Sequence, residues 1–96
     1  MSAYLILRIQ VIDHEKLKEY QQVAPSIIEK MGGKILVRGG EVATLEGAEE
    51  DRRIVMIEFS SLKKAKEFYH SFEYKKAIAL RKGAAVFESI AVEGLS

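Results

Sequence analysis

The chain has 96 residues, which is enough for one domain. Its 15 basic and 14 acidic residues are interspersed, so the basic stripe that nucleic-acid binding requires is missing. The absence of cysteine excludes disulfides, thiolate metal sites and a cysteine nucleophile. The longest apolar run, Ala3 to Leu7, is too short to span a membrane, and the N-terminus lacks the pattern of a signal peptide. These features favour a cytosolic protein that binds neither nucleic acid nor membranes.

The first two elements are a strand and a helix. Residues 4–12 alternate in hydrophobicity and predict a strand with one fully apolar face and one mixed face. Asp13 then predicts a helix N-cap, and helical spacing of apolar residues continues to Met31. Pro25 interrupts that pattern, so we expect a kink or a restart near Ala24. Gly32-Gly33 predicts the end of the helix.

The middle of the chain predicts two strands joined by a long connection. Residues 34–38 form the second strand, with Ile35 and Val37 on one face and Leu36 and Arg38 on the other. Gly39-Gly40 predicts a bend or a bulge, followed by extended chain over 41–45 and a polar loop over 47–52. Residues 53–59 predict the third strand.

The last third predicts two short helices and a strand. Ser60 or Ser61 caps a helix, and Ser71 caps a continuation to Lys82. The residues of these two helices that are predicted to point inward are Leu62, Ala65, Phe68, Tyr69, Phe72, Tyr74, Ala77, Ile78 and Leu80. Gly83 closes this region before a final strand over 84–92. The order of elements predicts an α+β fold of the ferredoxin-like βαββαβ type, with a four-stranded antiparallel sheet.

The face of this sheet that no helix covers is predicted to be largely apolar. It carries Ile6, Leu36, Ile54, Met56, Val86 and Ile90 beside Arg8, Arg38, Glu58 and Glu88. A sheet face exposed to water is normally polar, because hydrophobic and polar residues alternate along each strand. We therefore expect another surface to cover this apolar face. A second copy of the chain is the simplest cover, which predicts a homodimer.

Several segments resemble a known family. They are LVRGGEV (36–42), EFSSLKKAKEFYHSFEY (58–74) and LRKGAA (80–85), together with the opening AYLILRIQVID and the run YQQVAPSIIEKMGGK. In this order they resemble the DUF1330 family of small bacterial proteins over nearly the whole chain. The chain departs from the family at Ser71-Phe72-Glu73-Tyr74, where many relatives have proline second. The resemblance implies a dimeric α+β barrel, a superfamily that includes cofactor-independent monooxygenases, isomerases, cyclases and ligand-sensing domains.

The first candidate for a ligand site is Arg38 with Gly39 and Gly40. The glycines let backbone N–H groups approach a ligand, and Arg38 could clamp a carboxylate. The alternative is a glycine bulge, with Arg38 paired to Glu58 or Glu41. Arg8, Glu58 and Glu88 are predicted to share the face of Arg38, either as structural ion pairs, which we favour, or as a site.

Further candidates lie on the second half of the chain. His70 is a candidate general base, although a solvated role is favoured, and neither His70 nor His14 predicts a metal site. Tyr69 and Tyr74 could line a pocket for a planar ligand, although core packing is favoured. Arg81 follows the last helix, where the helix dipole favours a cation in any case.

The leading functional hypothesis is a cytosolic homodimer that binds a small organic molecule in a cleft of each subunit. If the protein is an enzyme, we expect cofactor-independent proton transfer with Arg38 for binding and Glu58 or His70 for the proton. The alternatives are a non-catalytic binding or stress-related module and a small cofactor-independent monooxygenase. The sequence does not decide between them.

Overall fold

The computed structural model describes all 96 residues and contains four strands and three helices. In chain order these are β1 (Ala3–Val11), α1 (His14–Lys30), β2 (Lys34–Arg38), β3 (Arg53–Phe59), α2 (Leu62–Tyr69), α3 (Phe72–Leu80) and β4 (Ala85–Glu93). The strands form one antiparallel sheet in the order β2-β3-β1-β4. This is the ferredoxin-like arrangement, and the predicted fold class is confirmed.

The core lies between the sheet and the helices. Leu5, Leu7 and Ile9 of β1 are buried there, as strict alternation predicts for the apolar side of a strand. Phe59, Phe68 and Tyr74 pack against one another, with ring centroids 5.2 Å and 4.4 Å apart along that series. These three rings join the sheet to α2 and α3, so they hold the second half of the chain in place.

The helices begin at the predicted caps. Asp13, Ser61 and Ser71 each accept a hydrogen bond from the backbone N–H three residues later, at 3.1 Å. Of the kink or restart predicted near Ala24, the restart is wrong, because α1 continues through Pro25 to Lys30. Proline has no N–H, so the Gln21 carbonyl lacks its usual helical donor at that point.

An irregularity in β2 changes which way Arg38 faces. Ile35 pairs with Ile57, but Val37 pairs with Met56 and Arg38 with Val55, so Leu36 is an extra residue in the ladder. A bulge of this kind reverses the alternation beyond it. Arg38 therefore lies on the helix-covered face, and the prediction that it shares a face with Arg8 and Glu58 is wrong. The bulge precedes Gly39-Gly40, where the sequence predicts a bend or a bulge, and the chain bends at Gly39.

The opposite face of the sheet carries no helix and is apolar, as predicted. We call it the open face. It contains Ile6, Ile54, Met56, Val86 and Ile90, with Val37 in the place predicted for Leu36. Ile90 is 51% exposed and Val86 equally so. No helix of the same chain covers this surface.

Two details of the helical region differ from prediction. Phe72 is 74% exposed and Leu80 is also exposed, so neither points inward as predicted, whereas Tyr74 and Ala77 are buried. Phe72 opens α3 directly after the Ser71 cap, where the side chain projects to solvent. None of the three helices combines the length and apolar character that crossing a membrane requires.

Candidate functional site

A cavity of about 230 Å³ lies between α1 and the helix-covered face of the sheet. Its walls are mostly apolar and come from α1 and from every strand of the sheet: Leu7, Ile9, Leu17, Ala24, Pro25, Ile28, Ile35, Val55, Ile57 and Phe87. A dry cavity of ~150 Å³ is large enough for benzene. This one therefore has room for a single substituted ring or a short branched chain.

An aromatic cluster bounds part of the cavity. The rings of Tyr20 and Phe87 both line it and meet edge to face, with centroids 5.5 Å apart. The Tyr20 hydroxyl shares a 2.6 Å hydrogen bond with the hydroxyl of Tyr74, and both side chains are buried. Burial raises the pKa of both phenols above the ordinary value, and for Tyr20 the neighbouring Tyr74 raises it further. Both phenols are therefore protonated at neutral pH.

Arg81 supports this cluster from outside the cavity. Its guanidinium carbon lies 3.5 Å from the centroid of the Phe87 ring and 5.3 Å from that of Tyr20. The residue is only 8% exposed, and its Nε has no hydrogen-bond partner. Stacking on an aromatic face is favourable for a guanidinium. Arg81 thus packs on Phe87, which lines the cavity. Arg81 itself does not line the cavity, although it is a predicted ligand-binding residue.

Three polar side chains line the cavity besides Tyr20: Gln21, Arg38 and Arg53. All three are exposed, whereas most of the apolar wall is buried, so they mark its mouth. Arg38 reaches this position because of the bulge in β2, and Arg53 because it pairs with Ile9 on the same face. The cavity therefore combines an apolar interior with a cationic entrance.

Gly39 brings the backbone close to Arg53. Its φ is +66°, a conformation that glycine adopts without strain. A Cβ at this position would lie 2.6 Å from Arg53 Nε. The turn leaves space for the Arg53 guanidinium, while the approach of a ligand to the backbone N–H groups of Gly39 and Gly40 stays a prediction. Gly40 faces open space and, with Gly39, borders a polar groove beside the cavity.

The open face carries a cluster of ion pairs. Arg8 Nε lies 3.2 Å from Glu50 Oε1, Arg52 Nε lies 2.7 Å from Glu50 Oε2, and Arg52 also pairs with Glu88. The Arg52 guanidinium holds the pKa of Glu50 below its usual value. The favoured structural interpretation of Arg8 and Glu88 agrees with these contacts. Their partners Glu50 and Arg52 were not predicted, because they stand in a stretch that looked like a solvated loop.

The two predicted catalytic residues do not reach the cavity. Glu58 lies on the open face and accepts a hydrogen bond from the Tyr4 hydroxyl at 3.5 Å. His70 is exposed at the C-cap of α2, beside Tyr69. Tyr69 donates a hydrogen bond to Ser89 at 3.1 Å and does not line the cavity. The structure thus separates Glu58 and His70 from each other and from Arg38.

Comparisons with known proteins agree with this architecture. The model of the family described as "Domain of unknown function (DUF1330)" matches residues 2–95. The chain belongs to this family. No curated protein sequence matches this DUF1330 chain.

Solved structures similar to this DUF1330 chain share its fold. A protein of unknown function from Rhodopseudomonas palustris, RPA0582, is 19% identical with a TM-score of 0.72 over 99% of this chain and 83% of that one. SnoaB from Streptomyces nogalater, a cofactor-independent oxygenase, is 5% identical with a TM-score of 0.71 over 99% and 94%. A dimeric ferredoxin-like protein of unknown function from Bacteroides fragilis is 14% identical with a TM-score of 0.63 over 97% and 96%. At these identities the likeness shows the fold alone.

Proposed function

We propose that this DUF1330 protein is a homodimer that binds a small organic molecule in the cavity under α1 of each subunit. The cavity itself carries the proposal. A concave apolar space with a few polar groups at its edge is the usual form of a small-molecule site. Its volume of about 230 Å³ is slightly below the common range of ~300–1,000 Å³, so the ligand is small.

The homodimer rests on the open face. Half-exposed aliphatic residues are contiguous across β1, β3 and β4 there, and a patch of this kind marks an interaction surface. The dimeric relative from Bacteroides fragilis shows that this fold can pair. Because the cavity lies on the other side of the sheet, pairing through the open face leaves the cavity accessible in both subunits.

Binding is favoured over proton-transfer catalysis by the composition of the cavity wall. The wall contains no carboxylate and no imidazole, and its only ionisable groups are Tyr20, Arg38 and Arg53. A general base has to lie within hydrogen-bond reach of the proton that it removes. In this proposal, Glu58 and His70 therefore have no catalytic part, while Arg38 keeps its predicted binding role.

A second candidate is cofactor-independent oxygenation of an electron-rich substrate. The observation in its favour is the same wall, because such a substrate supplies its own electrons and needs no side-chain redox group. SnoaB, with its similar fold, is described as a cofactor-independent oxygenase. Oxygen uptake with a hydroquinone, faster with the protein than without it, would favour this candidate over binding alone.

Filling the cavity is expected to weaken binding. Val55 lies in the cavity wall on a central strand, so Val55→Phe places a ring inside the space. We expect para-ethylbenzoate, measured by titration calorimetry, to lose at least ~10-fold in affinity, since the variant removes the room for its ring. The matched control is Gln22→Phe, which adds the same side chain at an exposed position of α1 outside the cavity. Equal affinity of both variants for the probe would contradict the proposal, and so would failure of the wild type to bind any monocyclic or short-chain compound.

A further inference from the structure

We infer that the ligand is an organic carboxylate, whose head group binds between Arg38 and Arg53 while its apolar body fills the cavity. The inference rests on the proposed function and adds the chemical class of the ligand. It follows from the positions of Arg38 and Arg53, from their lack of ion-pair partners, and from the contact between Arg53 and the turn at Gly39.

The two arginines are placed side by side at the mouth. Arg38 pairs with Val55, and Arg53 is two residues from Val55 on the same face of β3. Residues related in this diagonal way have Cα atoms about 7–8 Å apart, within reach of long side chains. Two guanidinium groups at such positions repel each other, and an anion held between them would remove that repulsion.

Neither arginine is neutralised by the protein. No carboxylate lies within ion-pair distance of Arg38 or Arg53, whereas Arg8 and Arg52 on the open face are both paired. Glu41 and Asp51 are close to these arginines in sequence, but neither forms an ion pair with Arg38 or Arg53. The mouth of the cavity therefore keeps two free cations next to an apolar interior.

The local backbone supports Arg53 in this position. Its guanidinium lies against Gly39, and a Cβ at that glycine would lie 2.6 Å from Arg53 Nε, so the guanidinium would have to move away. The turn at Gly39, directly after Arg38, thus leaves space for the guanidinium of Arg53.

A carboxylate is the anion that fits these features best. Guanidinium and carboxylate are both planar and can form two parallel hydrogen bonds, and such charge-assisted pairs are among the stronger hydrogen bonds in proteins. The space behind the arginines accepts a ring or short chain, and the wall offers few other polar partners. An aromatic or branched aliphatic monocarboxylate has this combination of one anionic end and one apolar end.

The test compares three probes that share one apolar group: para-ethylbenzoate, the neutral para-ethylbenzamide and para-ethylphenyl phosphate. Titration calorimetry on the wild-type protein is expected to show the carboxylate binding roughly 10- to 100-fold more tightly than the amide, because charge-assisted hydrogen bonds contribute about 1.5–3 kcal/mol. Arg38→Gln and Arg53→Gln should each remove most of that preference, because they weaken binding of the carboxylate much more than binding of the amide. Lys75→Gln, an equal change of charge at an exposed site on α3, should leave the preference intact.

The outcomes separate this inference from the proposed function. If acid and amide bind equally, or if the phosphate binds more tightly than the carboxylate, the inferred ligand class is wrong while the cavity remains a binding site. If Lys75→Gln lowers the preference as much as the arginine variants do, the head group is not held at the mouth. If none of the three probes binds, the proposed function itself fails. A normal circular dichroism spectrum and melting temperature for each variant exclude loss of folding as the cause.

Discussion

The substitution Ile90→Asp is expected to convert the proposed dimer into a monomer. Ile90 lies near the middle of the open face, opposite Ile6 of the central strand β1, and is 51% exposed in a single chain. In a two-fold symmetric interface the substitution is present twice. Burying an unpaired carboxylate costs several kcal/mol, so we expect the dissociation constant to rise at least ~1,000-fold, which is about 4 kcal/mol.

Sedimentation velocity over a range of concentrations measures this effect. Phe72→Asp is the matched control, because Phe72 is a well-exposed apolar residue on the helical side of the molecule. That variant should sediment like the wild type. A wild-type protein that is monomeric at every concentration, or an Ile90→Asp variant that remains dimeric, would show that the open face is not the dimer interface.

The stability of the protein is expected to fall steeply above pH ~10, where tyrosine ionises in an unfolded chain. Tyr20 is 7% exposed and Tyr74 is 1% exposed, and the pKa of each phenol is raised in the folded state by burial. The unfolded chain loses these two protons first. The contribution of the pair is therefore fully present below pH ~10 and is lost as the pH rises towards the folded-state pKa values, at up to about 2.7 kcal/mol per pH unit for two groups.

Urea unfolding at several pH values from neutral to strongly alkaline checks this slope. Tyr20→Phe and Tyr74→Phe should each roughly halve the alkaline slope, since each removes one of the two ionising groups. Each variant also loses the shared 2.6 Å hydrogen bond, so its stability at neutral pH should be lower by about 1 kcal/mol. Variants that keep the full wild-type slope would mean that other groups cause the alkaline loss.

Much of the fold could be predicted from the sequence because local signals agree with the tertiary structure. The strands over 34–38 and 53–59 were predicted with the observed bounds, and the caps at Asp13, Ser61 and Ser71 were all among the predicted ones. These features depend on alternation and on side chains that bond to nearby backbone. Such interactions act over a few residues, so a single sequence contains them.

Arg38 was predicted on the wrong face of the sheet because alternation with a period of two does not reveal one extra residue in a strand. The bulge at Leu36 lies in a short edge strand without glycine or proline, and it reverses Arg38. In the sequence, Arg53 is the first residue of a predicted strand, and no local signal places it beside Arg38. Glu50 and Arg52 acquire their partners by long-range contact with Arg8 and Glu88. Pairing across a sheet depends on register, and the sequence of one strand does not specify it.

Intermolecular NOEs test most directly whether the cavity under α1 is the ligand site. The protein carries labelled Ile and Leu methyl groups, and the probe is para-ethylbenzoate. If the cavity is the ligand site, NOEs are expected from the ethyl and ring protons to Leu7, Ile9 and Ile28, which line the cavity. Ile6 and Ile90, on the open face of the same sheet, should give none. NOEs to Ile6 and Ile90 with none to the cavity methyls would place the ligand on the open face and rule out the cavity as its site.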